Sequence, residues 1–378
     1  MFFEEKSGYT VKTLGQLVGI PSVSGKEKAV GDFIYECMKE IGMDSVEKQF
    51  AAPDRFNVVG RLKGKKPGKT ILLTGHMDTV DAGEGWDTDP FTAVTKDGRM
   101  YGRGVLDMKS GIAASLNAAR IAAMHRDELP GELILAFVPD EEAYSIGVNK
   151  LIDEGIKADF GISAEPEWGA LIGAMGKMLI KAEAKGVATH GHTPELGVNA
   201  IEEMSRFLAV LDREMPEIVH PKMGNQRYVT LKIEGGFKEY SIVVPEHCEA
   251  LINKHTAPEE TVEFVISNMQ NVVSKLGLKA KFSFSVCDPY YPAFDLGEDF
   301  PFKKSLEKVF TDVTGEKLKY EYGTGVSDNN RLVPLTGIPV ICLGCKGAGL
   351  HGKNEWVDLE SVHQMSSIYQ RFLFADKN

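Results

Sequence analysis

The sequence predicts an α/β protein with a three-layer, mainly parallel sheet and an inserted α+β domain. Three observations support this fold class. The chain has 378 residues, more than single cores usually contain. Short apolar strands alternate with helical segments in its first half, and the order of elements changes near Gly176. The expected boundaries are 1–175 and 288–378 for the parallel-sheet domain and 176–287 for the inserted domain.

Apolar spacing predicts the elements of the first part in turn. The spacing of Val30, Phe33 and Ile34 favours a helix over 26–41. A basic stretch over 63–69 is expected to be a solvated turn between two strands. The predicted elements are then strands 56–62 and 70–75, helix 111–125, strand 132–138, a helix near 145–155 and strand 159–163.

The inserted part has a different order of elements. It is predicted to contain strand 177–187, helix 198–213, strands 228–235 and 243–253, helix 260–275 and strand 279–287. This βαββαβ order is the ferredoxin-like signature. Residues 288–292 are expected to form a stiff linker back to the first domain. That domain is completed by helix 301–313, a Gly-rich turn over 323–328, strand 338–343 and helix 358–373.

Composition excludes some classes of partner. With 43 basic and 54 acidic residues the net charge is −11, which argues against nucleic acid. No stretch reaches the roughly 18 apolar residues of a membrane span, and the first residues do not resemble a signal peptide, so we expect a cytoplasmic protein. Cys342 and Cys345 lack the second pair of ligands that a zinc site needs, and we expect buried thiols there.

Residues 71–111 carry the first candidate site residues. His76 and Asp78 follow an apolar strand at alternate positions, so both side chains lie on one side. A histidine that binds a metal usually donates its second N–H to a carboxylate or carbonyl, and Asp78 suits that task. Asp107 lies between glycines just before a helix, a place where α/β enzymes bind ligands. Taken singly, Asp107 could be only a helix cap and His76 a turn histidine.

Further acids follow two other predicted strands. Glu141 and Glu142 come after strand 132–138, Glu165 comes after strand 159–163, and His351 follows the final strand. A solvated acidic loop is the alternative for any one of them. Imidazoles and carboxylates without thiolates suit a pair of divalent ions, zinc first, with cobalt or manganese possible.

The motifs together resemble the M20 family of metallopeptidases and amidohydrolases, which includes acetylornithine deacetylase, succinyl-diaminopimelate desuccinylase, aminoacylase and glutamate carboxypeptidase. The likeness covers nearly the whole chain, and the order and spacing of the motifs are specific. They are residues 75–80 (GHMDTV), 102–109 (GRGVLDMK), 140–142 (DEE), 163–166 (SAEP), 190–194, 197–200 and Ser327-Asp328.

The resemblance implies a role for each site residue. Asp107 would bridge the two ions, His76 and Glu165 would complete one ion site, and Glu142 and His351 would complete the other. Asp78 would orient His76. Glu141 would be the general base that activates the water between the ions.

The resemblance also implies roles for the inserted domain, which would be a lid and dimerisation domain. His190 would be an oxyanion donor, often contributed across the interface of a homodimer. Two positions that hold the substrate in relatives differ here: Ser241 replaces an asparagine and His255 replaces an arginine, for which Lys254 could compensate. The turn containing Gly325 and Ser327 is then a candidate for binding the carboxylate end of the substrate.

These inferences lead to one function and two alternatives. We expect a dinuclear metal-dependent hydrolase of amide bonds in small substrates, similar to acetylornithine deacetylase and succinyl-diaminopimelate desuccinylase, which acts on N-acyl amino acids. The nearest alternative is a dipeptidase, aminopeptidase or carboxypeptidase with the same metals and base. A non-catalytic binding relative is the remote alternative, since all the catalytic positions are filled.

Overall fold

A computed structural model describes residues 8–225 and 227–375. It contains two compact units. Unit 1 comprises the chain up to Gly173, Leu296–Glu321 and the chain from Ser327 onward; unit 2 comprises Ala174–Asp295 and Tyr322–Val326. No helix in these residues is long and apolar enough to cross a membrane.

The α-helices of the described residues are nine in number: α1 Tyr9–Val18, α2 Lys28–Ile41, α3 Ser110–Met124, α4 Ile146–Asp153, α5 Ala200–Glu214, α6 Val262–Lys275, α7 Lys303–Thr314, α8 Asn329–Thr336 and α9 Leu359–Phe374. The strands are β1 Ser45–Ala52, β2 Arg55–Lys63, β3 Lys66–His76, β4 Val94–Lys96, β5 Arg99–Tyr101, β6 Pro130–Val138, β7 Phe160–Ser163, β8 Ala170–Ala174, β9 Gly176–Lys185, β10 Val229–Gly235, β11 His247–Thr256, β12 Lys281–Tyr291, β13 Phe294–Asp295, β14 Tyr320–Gly323, β15 Val340–Cys342, β16 Gly347–Ala348 and β17 Trp356–Asp358.

The main sheet of unit 1 runs in the order β1-β2-β6-β3-β7-β15-β8. Its centre is parallel, since β3 pairs in parallel with β6 and β7, and β15 pairs in parallel with β7. Strand β2 is antiparallel to both β1 and β6. The predicted α/β class with a mainly parallel central sheet is confirmed.

Helices cover both faces of this sheet. On β2, the ring of Phe56 faces Gly31 of α2, whereas the next residue, Asn57, donates a 2.9 Å hydrogen bond to the Gly147 carbonyl of α4. Successive residues of a strand point to opposite faces, so α2 and α4 lie on opposite sides. The central strands of the sheet lie between these two layers of helices and are buried on both faces. Their sequences are therefore continuous apolar runs, as in Leu133–Val138 of β6.

Unit 2 has the predicted ferredoxin-like order of elements. Its antiparallel sheet runs β10-β11-β9-β12. Helices α5 and α6 pack on it around a core that includes Met204, Phe207 and Met269. Strand β9 alternates buried and half-buried residues along its length, which is typical of a sheet with one covered face.

Several elements differ from the predictions. Helices α1 and α8 and strand β1 were not predicted. The basic turn is shorter than expected, because β3 already begins at Lys66, which pairs with Pro130 of β6. Residues 288–292 are not a linker, since β12 continues to Tyr291, opposite Lys177 of β9. Cys342 and Cys345 are buried free thiols, as predicted.

A small antiparallel sheet in the order β16-β17-β5-β4 was also not predicted. It pairs Val357 with Met100 and Trp356 with Tyr101. Its strands are only two or three residues long, below the length at which alternation can be recognised in a sequence. This sheet brings the segment that follows His351 beside the segment that precedes Asp107.

Candidate metal centre

The ends of three parallel strands in unit 1 carry most of the candidate residues. His76 is the last residue of β3 and lies opposite Val138, the last residue of β6. Glu141 and Glu142 follow three and four residues later. Strand β7 ends at Ser163, opposite Thr74, so Glu165 reaches the level of His76. Because parallel strands end at the same edge of a sheet, side chains far apart in the sequence meet there.

Asp107 lies between two imidazoles. Its Oδ1 is 3.0 Å from Nε2 of His76 and its Oδ2 is 3.2 Å from Nε2 of His351. His351 Nε2 is also 3.0 Å from Glu142 Oε1, and His76 Nε2 is 3.8 Å from Glu165 Oε2. All five residues proposed as metal ligands therefore lie together.

The orientation of His76 is fixed by Asp78. Nδ1 of His76 is 2.9 Å from the backbone carbonyl of Asp78 and 3.6 Å from its carboxylate. A carbonyl only accepts, so Nδ1 carries the hydrogen and Nε2 of the neutral ring carries a lone pair. Asp78 lies beside His76, where the sequence places it, but the closer contact is made by its backbone carbonyl rather than by its carboxylate.

The arrangement of these side chains favours a cation or a proton between them. A neutral His76 would direct its Nε2 lone pair at an oxygen of Asp107, which is repulsive unless a cation or a proton lies between them. His76, Asp107 and Glu142 each offer a ligand atom within 4.8 Å of one another. Buried charges are normally paired or bound to metals. These residues fit a divalent metal centre.

Burial and like charges shift the pKa values of these acids upward. Burial raises the pKa of Glu141 well above its usual range, and nearby Glu165 and Asp328 add to this against the opposing effect of His76. Burial likewise raises the pKa of Glu165 to about 8 and also raises the pKa of Glu142. Several carboxylates crowded out of water favour protonation or a bound cation.

The pKa values of His76 and His351 are raised, whereas the pKa of Asp107 between them is lowered. Burial lowers the pKa of His76, but Glu165 and Asp107 outweigh it, so the net pKa lies well above the usual value. The hydrogen bond with Asp107 raises the pKa of His351 to about 9. Burial alone would raise the pKa of Asp107, but His351 and His76 hold it below its usual range.

Asp328 belongs to the same neighbourhood, although only the Ser327-Asp328 pair was noted in the sequence. It is buried, and burial raises its pKa to about 7, with His76 and Arg331 acting in the opposite direction. A polar pair between a Gly-rich turn and a helical segment was the signal that could have identified it.

Further candidate residues lie in unit 2 and in the turn over 323–328. His190 and Ser241 are exposed, and the Nδ1 atoms of His190 and His192 are 2.6 Å apart. His255 Nδ1 is 2.9 Å from the Thr324 carbonyl. Gly325 is exposed and has open space at its Cβ position.

Ser327 precedes α8 and is hydrogen-bonded to two residues of its first turn. Its backbone N–H donates a 3.0 Å hydrogen bond to Asn330, and its hydroxyl accepts one from the Asn329 N–H. Its N–H is therefore already used within the chain. A role of Ser327 in substrate binding remains a prediction.

The charge of Lys254, the residue considered as a substitute for the missing arginine, is already paired inside unit 2. It is 1% exposed, its Nζ lies 3.3 Å from Glu260 Oε1, and it donates a 2.8 Å hydrogen bond to Asn225. Its ammonium also lies 5.1 Å from the centre of the Tyr228 ring. Lys254 is therefore held inside unit 2.

A second group of His and Glu side chains lies on unit 2. Glu183, His247 and Glu249 could approach one ion. However, Lys181 is 3.2 Å from Glu183 and 2.7 Å from Glu249, so its ammonium already balances both carboxylates. This group is an ion-pair network on the sheet surface.

The fold and this centre define a metal-dependent hydrolase that acts on C–N bonds. The profile described as "Peptidase family M20/M25/M40" matches residues 72–375, and the chain belongs to this family. The resemblance predicted from the motifs is thereby confirmed.

Two groups of proteins are similar to the chain. A succinyl-diaminopimelate desuccinylase from Nautilia profundicola is 26% identical over 95% of this chain and 97% of its own length. An N-formyl-4-amino-5-aminomethyl-2-methylpyrimidine deformylase from Bacillus subtilis is 27% identical over 92% and 89%. Among solved structures, a tripeptidase from Staphylococcus aureus (TM-score 0.75, 23% identity) and aminopeptidase PepT from Bacillus cereus (TM-score 0.77, 22% identity) each align over 97% of both chains. They share the fold.

Proposed function

We propose that this chain is a two-ion hydrolase that removes the acyl group from an N-acyl amino acid. The observation that carries the proposal is the position of Asp107, whose two carboxylate oxygens lie toward different imidazoles, His76 and His351. One carboxylate with further ligands on each side suits two adjacent ions, an arrangement used by hydrolases that activate water.

Each ion would have its own ligands in addition to Asp107. His76 and Glu165 would hold one ion, and Glu142 and His351 would hold the other. Imidazoles and carboxylates without thiolates favour zinc, with cobalt or manganese as alternatives. When bound, the ions would polarise the substrate carbonyl and make hydroxide available near neutral pH.

Glu141 would carry the proton during hydrolysis. It would take a proton from water as the water oxygen forms a bond to the amide carbon, and return that proton to the nitrogen as the C–N bond breaks. The products are a carboxylic acid and an amine. A glutamate beside the reacting water can hold the proton between these two steps.

His190 would stabilise the oxyanion formed in this reaction. Its Nδ1 faces Nδ1 of His192, so Nε2 is the nitrogen that would meet a substrate oxygen. His255 would present Nε2 to the substrate in the same way, because its Nδ1 hydrogen is directed at the Thr324 carbonyl. Ser241, Gly325 and Ser327 remain proposed contacts for the rest of the substrate.

We also propose a homodimer formed through unit 2. Strand β10 is an edge of its sheet, and Val229, Leu231 and Ile233 along it are 47–55% exposed. An apolar strand edge of this kind is suited to pairing with another strand. A cytoplasmic location is a further proposal that rests on the sequence alone.

The choice of an acyl substrate rests on the named sequence relatives, a desuccinylase and a deformylase, both of which release an acyl group from nitrogen. A peptidase is the second candidate, favoured by the fold shared with a tripeptidase and an aminopeptidase. Both reactions use the same water and the same base, so they differ in how the ends of the substrate are held.

A substrate screen separates these two candidates. Protein stripped of metal would be reloaded with zinc, cobalt or manganese and assayed on N-succinyl, N-acetyl and N-formyl amino acids and on di- and tripeptides. The Glu141→Gln variant controls for contaminating hydrolases. We expect the higher kcat/KM on an N-acyl amino acid. A preference for peptides would select the second candidate, and no metal-dependent hydrolysis of either class would refute both.

A further inference from the structure

Arg103 and Glu355 form a buried ion pair in unit 1. Arg103 Nη1 is 2.7 Å from Glu355 Oε2, and the two side chains are 2% and 1% exposed. Removing an ion pair from water is unfavourable unless the remaining polar atoms of both side chains are hydrogen-bonded. The partners of those remaining atoms therefore indicate what the pair stabilises.

Glu355 binds the backbone of the turn that carries Asp107. Its Oε1 accepts hydrogen bonds from the N–H groups of Leu106 at 2.8 Å and Asp107 at 3.1 Å. Its Oε2 accepts a third from Gly104 at 3.0 Å. One carboxylate thus fixes the backbone of this turn immediately before the α3 helix.

Arg103 binds the loop that carries His351. Its Nη2 donates to the Gly352 carbonyl at 2.9 Å and to the His351 carbonyl at 3.3 Å. The φ of His351 is +59°, in the left-handed region that non-glycine residues rarely adopt. Its side chain is 54% exposed, so side-chain packing contributes little to its position.

The other half of the metal centre is supported differently. His76 ends β3, which is hydrogen-bonded to β6 and β7 on its two sides. The His76 side chain is 1% exposed, and Glu165 comes two residues after the end of β7. The main sheet therefore positions His76 and Glu165 without any contact from Arg103 or Glu355.

We propose that Arg103 and Glu355 are positioning residues for the half of the centre that contains His351. By holding the backbones of Asp107 and His351 through one ion pair, they set the 3.2 Å separation between the Asp107 carboxylate and the His351 ring. The inference rests on the proposed two-ion function. It predicts that weakening the pair selectively reduces the affinity for one ion of the two.

Ion titration of the metal-free protein tests this directly. Arg103→Lys keeps a positive charge, but a single ammonium cannot donate both to Glu355 and to the carbonyls of His351 and Gly352, as the guanidinium does. Calorimetric titration with zinc and the visible spectrum with cobalt report the two binding steps without reference to turnover. Arg61→Lys, on an arginine of β2 whose side chain is 39% exposed, is the matched control, and His351→Ala defines a centre with one impaired site.

We expect Arg103→Lys to bind the first ion like the wild type and the second about 10–100-fold more weakly. The matched control should bind both ions normally. Activity of Arg103→Lys should be low at limiting metal and recover at saturating metal, because the residue positions a ligand and does not touch the substrate. Arg103→Gln, which removes the guanidinium but keeps the hydrogen bonds that Glu355 accepts from the Asp107 turn, should show the same selective loss and serves if Arg103→Lys does not fold.

Normal binding of two ions by both variants would overturn the inference and leave the proposed function intact. Equal weakening of both ions would also overturn it, because the pair would then support the whole unit. A wild-type protein that binds fewer than two ions would overturn the two-ion function itself, and the inference with it.

Discussion

The backbone N–H of Glu141 donates a 3.1 Å hydrogen bond to Oδ1 of Asp78. The other oxygen, Oδ2, accepts from the Glu142 N–H at 3.2 Å and from the Ser24 hydroxyl at 2.6 Å. Since Asp78 is fully buried, these bonds are shielded from water and are stronger for it. The carboxylate of Asp78 therefore fixes the backbone of both glutamates, while its carbonyl orients His76.

Asp78→Asn should lower kcat without unfolding the protein. The amide keeps the size of the side chain but places N–H donors opposite backbone N–H groups, so at least one hydrogen bond is lost. A loss of about 10–100-fold in activity or metal affinity is typical for groups that orient ligands. Steady-state kinetics and metal analysis measure it, with exposed Asp81→Asn as the control. Wild-type kcat in Asp78→Asn would contradict this role.

Glu141→Gln should abolish most turnover while leaving the metal centre intact. Glutamine cannot accept and return a proton, and general acid–base catalysis typically contributes about 10²–10⁴-fold. Elemental analysis should still find the wild-type metal content, because the residue is not among the proposed ligands. Glu36→Gln, an exposed acid on α2, should behave like the wild type. Undiminished hydrolysis by Glu141→Gln would remove the assignment of the base.

The metal-free protein should lose stability as pH rises from about 5 to 9. The folded state raises the pKa of Asp328 from 3.8 to about 7, of Glu165 from 4.5 to about 8 and of His351 from 6.5 to about 9. In each case the folded chain binds protons more tightly than the unfolded chain. The stabilisation is therefore full below the unfolded pKa and is lost as pH rises through the folded pKa.

Urea unfolding of chelator-treated protein at pH 6 and pH 9 measures this loss. Bound divalent ions replace the lost positive charge, so the stability difference between metal-loaded and metal-free protein should grow with pH. Asp328→Asn should reduce the loss, because it removes one of the buried carboxylates. Metal-free protein that is equally stable or more stable at pH 9 would contradict the prediction.

Lys254→Met should destabilise unit 2 and leave KM unchanged. Glu260 is also buried, and removing one partner of a buried ion pair costs about 3–5 kcal/mol, since the other charge is left uncompensated. Urea unfolding measures the effect, with exposed Lys281→Met on β12 as the control. Unchanged unfolding together with a raised KM would instead mean that Lys254 reaches the substrate.

Ile233→Lys should convert the proposed dimer to a monomer. A lysine on an exposed strand edge opposes pairing with a second strand through charge repulsion and loss of apolar contact. Sedimentation velocity measures the change, and Phe50→Lys, at an exposed position of unit 1, is the matched control. A dimer that survives Ile233→Lys, or a monomeric wild type, would exclude this edge as the interface.

The main strands could be predicted because their sequences are apolar runs bounded by turn residues. The C-terminal parts of β3 and β6 and all of β7 are buried on both faces, which makes these apolar runs continuous and their ends abrupt. Strand β1 was missed because its residues are exposed or half-buried, without a regular apolar pattern. Helix α8 was missed because its eight residues include Pro334.

Lys254 shows why the surroundings of a charged side chain could not be predicted. In the sequence it stands beside His255 and was considered only as a substitute for the arginine that holds the substrate in relatives. Its burial depends on Glu260, in the segment after β11, and on Asn225, in the segment before β10. Neither partner is at a spacing that a local pattern can identify.

The sequence by itself determined which chemical groups follow the buried strands: His76, Glu141, Glu142 and Glu165 stand where apolar runs end, and the parallel order of those runs brings their ends to one edge of the sheet. Only the tertiary structure decided how the groups are held. Arg103 and Glu355 lie 252 residues apart, and their contact depends on small strands with no sequence signal. The physical reason is that strand formation follows local apolar periodicity, whereas a buried ion pair depends on segments that meet only after the chain has folded.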